Sequence, residues 1–224
     1  MKAKVEPKAS RARTEDVYDR LRRDILAGEL VPGERLRFPE LSRRTSASIG
    51  AIREALVRLA ERGLVISEPN LGFRVSPVSA EAHAELAEAR AEIEAIAVRR
   101  AIADGSLDWE SRVVAAGHRL AKTRHGARTT DDWHDAHTEF HLALLSGCKN
   151  RYLLATAEAL RERAELFRRW TEPDTRYRRA DEPEEHEQLV RAAVGRDADA
   201  AARLLRSHIA ITRDLRLRLP APPR

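Results

Sequence analysis

The residues best suited to chemistry in this chain are histidines of its second half. His137 and His141 stand four apart. On a helix that spacing projects both rings from one face on consecutive turns, and His134 lies on the same face. His186 and His208 flank a turn at Gly195-Arg196-Asp197. His186 precedes Val194 by 8 residues, about 12 Å of helix, and His208 follows Ala198 by 10, about 15 Å. Across an antiparallel helical hairpin the two are nearly level. Four imidazoles from three helices can hold a divalent transition metal in a bundle interior. The alternative is scattered surface histidine, the reading given to His83, His118 and His125.

The elements that must position these rings are helices. From Glu81 onward the pattern is helical throughout, with Gly105, Gly126, Gly147 and Gly195 as punctuation. Six helices are expected, at roughly 80–104, 107–124, 130–146, 150–171, 181–194 and 198–216. Asp197 is the expected N-cap of the last, and Pro220, Pro222 and Pro223 end the chain. Short connections make neighbours antiparallel, so residues 80–217 read as an antiparallel bundle.

A second constellation lies upstream, from Ser48 to Val75. Ile52, Leu56 and Leu59 recur at helical spacing beside Ala55, with Arg53, Arg58 and Arg62 among the polar positions. Ser48 suits the N-cap and Gly63 the residue past the helix end. Leu64-Val65-Ile66 reads as a strand, Pro69-Asn70-Leu71-Gly72 as a turn and Phe73-Arg74-Val75 as a returning strand. Before them, Thr14 reads as the cap of a helix reaching about Ala27, and Leu36 to Arg44 as a second short helix. Residues 14–76 thus predict a winged helix-turn-helix, and residues 1–13 a flexible basic tail. The fold class expected is mainly α.

Such a domain places the N-terminal end of its recognition helix in the major groove. Here that end is Ser48, Ile49, Gly50 and Arg53, and Arg53 can bind a guanine edge bidentately. Arg43, Arg44 and Arg58 are candidates for phosphate contacts. The wing tip, Asn70 to Gly72, can approach the minor groove. For each arginine other than Arg53, plain solvated surface is an equal alternative.

Charge agrees with two domains of separate purpose. Residues 1–80 hold 16 Lys+Arg against 11 Asp+Glu, and the remainder holds 25 of each, so the formal excess of +5 sits wholly in the first part. All 8 histidines fall after residue 80. A basic segment suits a polyanion. Aromatics make up only 4% of the chain, so its core must rest on Leu, Ala, Val and Ile. No run of about 18 apolar residues occurs, which excludes a membrane-spanning helix. The N-terminus lacks an apolar signal region. The single cysteine, Cys148, cannot form an internal disulfide, which fits a cytoplasmic protein.

The runs P-G-E-R-L at Pro32 to Leu36, I-R-E-A-L at Ile52 to Leu56, R-L-A-E-R-G-L-V from Arg58 and P-N-L-G-F-R-V from Pro69 resemble the DNA-binding domain of GntR-family bacterial regulators. Two positions depart from it: Ile49 and Ala51 stand where the common form has an arginine and a proline. Ile49 offers an apolar contact to a thymine methyl instead. Residues 80–217 resemble the all-helical, metal-binding FCD ligand domain of the FadR subfamily. The matching runs are E-A-R-A-E-I-E from Glu88, H-T-E-F-H-L-A-L from His137, E-H-E-Q-L from Glu185 and R-S-H-I from Arg206. The resemblance implies an aspartate and three histidines as ligands. His141, His186 and His208 match the histidines, and His137 stands at the aspartate. It implies zinc, nickel or another first-row metal, a carboxylate effector paired with Arg90 near His134, operator DNA and a homodimer. For Arg90 the alternative is an ion pair with Glu94 at i+4.

The expectation is therefore a cytoplasmic, homodimeric transcription regulator and not an enzyme. A metal-dependent helical-bundle enzyme and a DNA-binding protein with a purely structural bundle are the rivals. The first lacks a Glu-x-x-His pair and leaves the basic winged helix without a purpose. The second needs no converging histidines.

Overall fold

Helical periodicity from Val17 to Leu59 builds the first of two units, and it does so around the helix Ile49–Glu61. The computed structural model describes residues 7–123, 131–170 and 183–213, with backbone alone for 7–13, 131, 183, 212 and 213. In the first unit α1 spans Pro7–Leu26, β1 Arg35–Leu36, α2 Phe38–Thr45, α3 Ile49–Glu61, β2 Val65–Glu68 and β3 Gly72–Val75. Ile52, Leu56 and Leu59 of α3 are completely buried, as are Leu21 and Ile25 of α1. Each such side chain contributes about 1.5–3 kcal/mol by leaving water. The Ser48 hydroxyl accepts from the amide of Ala51 at 3.3 Å and caps α3. Gly63, at φ 72°, turns the chain out of the helix. The sheet is antiparallel in the order β1-β3-β2, with Leu36 opposite Phe73 and Val65 opposite Val75. The wing turns through Asn70 at φ 62° and Gly72 at φ 92°. The end of α7 (Arg151–Arg169), from Glu162, belongs to this unit as well.

Two sequence expectations are corrected. Thr14 does not cap a helix; α1 already begins at Pro7. Proline suits a first helical position, and Lys8 to Arg13 contain only good or tolerable helix formers. Thr14 is instead buried, its hydroxyl 3.4 Å from Glu54 of α3. The rest of the expected tail, residues 1–6, lies outside the described residues. Leu36 is not helical but pairs with β3, and α2 starts after it, with proline in its first turn.

The second unit holds α4 (Ala80–Asp104), α5 (Leu107–Thr123), α6 (Asp131–Leu145), the start of α7 (Arg151–Arg169), α8 (Pro183–Val194) and α9 (Ala198–Arg213). The helix ends expected at 124, 130, 171, 181 and 216, with His125, Gly126 and the terminal prolines, lie outside the described residues. Its core joins Val98, Ile102, Trp109, Val113, Phe140, Leu144, Leu189, Leu205 and Ile209. Trp109 donates to the carbonyl of Ala143 at 3.0 Å, and a Cβ on Gly147 would sit 3.0 Å from its ring and 2.5 Å from the Ala101 carbonyl. Glycine is therefore required there by closeness rather than by φ.

The α8–α9 hairpin that aligns His186 with His208 is fixed at both sides of its turn. Arg196 takes φ 57°, and Asp197 caps α9 by accepting from the amide of Ala200 at 2.8 Å. The Arg196 guanidinium donates to the carbonyls of Ile102 and Gly105 at 2.9 and 2.8 Å, so a cation meets the negative end of α4. No helix among the described residues is long and apolar enough to cross a membrane.

Candidate metal centre and nucleic-acid interface

His137 and His141 leave one face of α6, His186 comes from the first turns of α8, and His208 from α9. All four are buried, at 0, 1, 5 and 2% exposure. Their candidate ligand atoms lie within 4.8 Å of one another. The rings pack edge-on into one cluster, His137 against His186 at 5.2 Å and His186 against His208 at 5.0 Å between centroids. Trp133 and Phe140 wall it: Trp133 lies 4.9 Å from His137, and Phe140 lies 5.1 and 5.4 Å from His141 and His186.

The donor set fits a divalent transition ion. Tetrahedral ligands bonded at about 2.05 Å stand roughly 3.3 Å apart. The Nε2 atoms of His137 and His141 are 3.2 Å apart. Opposed ligands of a six-coordinate ion stand about 4.1 Å apart at the same bond length, so the 4.8 Å outer limit is wider than either geometry and the rings would draw together on a bound ion. Imidazole nitrogens serve zinc, nickel and their neighbours alike. Nδ1 of His208 lies 3.0 Å from a carboxylate oxygen of Glu185.

His134 is buried but is not one of the four whose ligand atoms converge; its ring meets Trp133 edge-on at 5.2 Å. Arg90 takes up the ion pair that competed with effector binding. Its Nε donates to Glu94 at 2.7 Å, and Arg161 of α7 donates to the other Glu94 oxygen, also at 2.7 Å. Glu94 is completely buried. Burial works to raise its pKa, but Arg161 and Arg90 overcome that and hold the carboxyl below the usual carboxylate range. A pocket of about 280 Å³ borders the cluster through His186 and is lined by Val114, Leu120, Trp133, Val190 and Arg191; neither Arg90 nor His134 lines it. His83, expected to be exposed, is buried on the inner side of α4. His118 is exposed as expected.

In the winged-helix unit, Ser48, Ile49, Gly50 and Arg53 share the exposed start of α3, with Ile49 58% exposed. The Arg53 guanidinium lies 4.9 Å from the Phe38 ring centroid, and Phe38 meets Phe73 edge-on, so the arginine is braced by α2 and β3. Arg43 is exposed. Arg44 pairs with Asp24 and Glu29 at 2.9 and 3.3 Å, and Arg58 binds Glu15 through both terminal nitrogens. Those carboxylates neutralise the two arginines locally, so they brace α1 rather than stand bare. At the wing tip Asn70 is exposed, Gly72 half-buried, and Leu71 between them 58% exposed.

Sequence reasoning passed over Glu185 and Arg161. Glu185 had one signal, its place beside His186 in the chain. Arg161 had none, since its partner is 67 residues away.

A winged helix with a bare recognition-helix terminus, joined to a helical unit with a buried cluster of four histidines, is the arrangement of a DNA-binding regulator with a sensing domain. Comparison with known proteins gives the family. Residues 13–75 match the bacterial regulatory proteins of the gntR family, and residues 85–211 match the FCD domain. The uncharacterized HTH-type transcriptional regulator BphR of Paraburkholderia xenovorans strain LB400 is 35% identical over 204 residues, 89% of this chain and 83% of that one. The HTH-type transcriptional repressor GlaR of Escherichia coli K12 is 34% identical over 87% of this chain and 91% of its own. Among solved structures, a GntR-type protein of Rhodococcus sp. RHA1 superposes with a TM-score of 0.72 at 26% identity, covering 90% of this chain and 96% of that one. E. coli McbR/YncC has the same fold, with a TM-score of 0.72 at 22% identity over 88% and 93%. The chain belongs to the GntR family of bacterial regulatory proteins and carries an FCD domain; it is a transcription regulator, not an enzyme.

Proposed function

We propose that this regulator, an FCD member of the FadR subfamily, acts in the cytoplasm as a homodimer. Its operator affinity is set by a carboxylate effector bound at a metal centre held by His137, His141, His186 and His208. The observation that carries the reading is the convergence of four buried imidazoles from three helices. A bound divalent ion, zinc by first preference and nickel as the alternative, supplies a Lewis-acid position for a carboxylate oxygen. Four neutral imidazoles contribute no charge of their own against its +2, which favours an anionic effector. Arg90 can add to that attraction through the guanidinium nitrogens not engaged with Glu94, and His134 lies one turn from His137. Effector binding controls DNA affinity only if the two arrangements of the winged helices bind effector unequally. Two recognition helices on two half-sites suit a twofold-symmetric operator.

Thermal denaturation of zinc-loaded protein across a panel of small carboxylates tests the effector class. An effector at 100 times its Kd stabilises the folded chain by about 2.7 kcal/mol. A raised melting temperature for at least one carboxylate, absent in the metal-free protein, is expected; a flat panel would remove the effector assignment.

The DNA end is read by Arg53, with Ile49 beside it. Arg53→Ala is expected to weaken specific operator binding by about 1–3 kcal/mol if it binds a guanine edge bidentately. Its side chain lies off the buried face of α3, so the fold should persist. Electrophoretic mobility shifts on a selected operator read the change; affinity within about twofold of the unaltered chain, under 0.5 kcal/mol, would strike Arg53 from the base readers.

A further inference from the structure

We infer that Glu185 is a positioning residue of the metal centre: its carboxylate fixes the ring of His208 so that Nε2 is the nitrogen offered to the ion. This deepens the metal reading above and rests on it. Nδ1 of His208 and Oε2 of Glu185 are 3.0 Å apart. The His208 side chain is 2% exposed and that of Glu185 28%, so water reaches the contact only from the carboxylate side. An ionised carboxylate can only accept, so Nδ1 carries the proton and the ring's lone pair stands at Nε2. A ligand ring fixed in this way is held in one tautomer and one orientation, and its ligating nitrogen becomes more basic.

The local chain explains how one helix does two jobs. Glu185 and His186 are consecutive in the first turns of α8. Successive helical residues project about 100° apart, so His186 enters the cluster while Glu185 reaches across to α9. The first turn also favours a carboxylate, because the helix N-terminus carries partial positive charge. The same carboxylate places a negative charge one ring away from a centre whose own four ligands are neutral. That is charge the donor set otherwise lacks, since His137 supplies an uncharged nitrogen.

A plain α8–α9 ion pair with no bearing on the metal is the competing account, and metal measurements separate the two. Zinc affinity of the full chain is measured by competition with a chromophoric chelator, and the visible absorption of the cobalt(II)-loaded chain is recorded alongside. Glu185→Ala removes both acceptor and charge and is expected to lower zinc affinity toward the upper end of about 10–100-fold, with a shifted cobalt band. Glu185→Gln keeps an acceptor oxygen, loses the charge and falls toward the lower end of that range; it also carries the test if Glu185→Ala does not fold. Glu187→Ala, an exposed position on the same helix, is expected to change neither reading. Zinc affinity within about twofold of the unaltered chain in both Glu185 variants overturns the proposal. So does a fall in affinity with an unmoved cobalt spectrum, which a merely structural pair would give. If the unaltered chain takes up no zinc or cobalt, the metal reading itself fails, a result distinct from the first two.

Discussion

Replacing His186 and His208 together with alanine is expected to abolish metal binding and effector response while leaving operator binding in place. The two rings come from α8 and α9 and are half of the donor set. What remains is His137 and His141, two rings on one helix, and a two-nitrogen site does not retain a divalent ion against water and buffer. Both removed rings are buried, so the variant also leaves space in the bundle, and its melting curve is the necessary control. None of the residues that cap or brace α3 belongs to this cluster: Ser48 caps it, and Phe38, Glu15 and Asp24 hold its arginines or their neighbours. Titration of operator DNA with and without effector checks the prediction. A variant that still responds to effector would show that the response runs through another site.

Glu94→Ala is expected to cost the fold about 3–5 kcal/mol, the loss typical of removing one partner from a buried ion pair. The carboxylate uses one oxygen for Arg90 and the other for Arg161, and it is inaccessible to solvent. Without it, buried guanidinium charge is left uncompensated. The pH dependence has a definite sign. The folded pKa of Glu94 lies below its ordinary value of 4.5, so its contribution is complete above that value and is lost as pH falls through the folded one. Urea unfolding at neutral pH and at successively lower pH reads both effects. The gap between the unaltered chain and the variant should be widest at neutral pH and should narrow in acid. A gap under about 1 kcal/mol at neutral pH, as for a surface pair, would mean that the triad does not hold α4 to α7.

How much of this was legible in the sequence depends on how local each signal was. His137 and His141 could be placed on one face from their spacing, and His186 and His208 at one level from their distances to a turn marked by Gly195 and Asp197. Ser48 and Gly63 announced both ends of α3 through their chemistry. β1 could not be read, because a two-residue strand has no period and exists only by pairing with β3. The start of α1 was misread because Thr14 has the chemistry of a cap, yet it faces α3 from inside a longer helix. Arg90 to Glu94 was visible as an i+4 pair. Its third member, Arg161, comes from another helix and left no mark near either residue. The ion pairs of Arg44 and Arg58 were not legible, because their partners Asp24 and Glu15 lie in α1, 20 and 43 residues away. Glu185 shows the same limit: its neighbour His186 was conspicuous, but its partner is on the next helix.

The central claim, that the four histidines form a metal centre, is tested most directly by elemental analysis of the untagged chain, purified without chelator and compared with the His186→Ala, His208→Ala variant prepared in parallel. The account predicts one first-row transition-metal ion per unaltered chain and none in the variant. A metal-free chain that also fails to take up zinc or nickel on dialysis, or a variant that keeps its full complement, would contradict it.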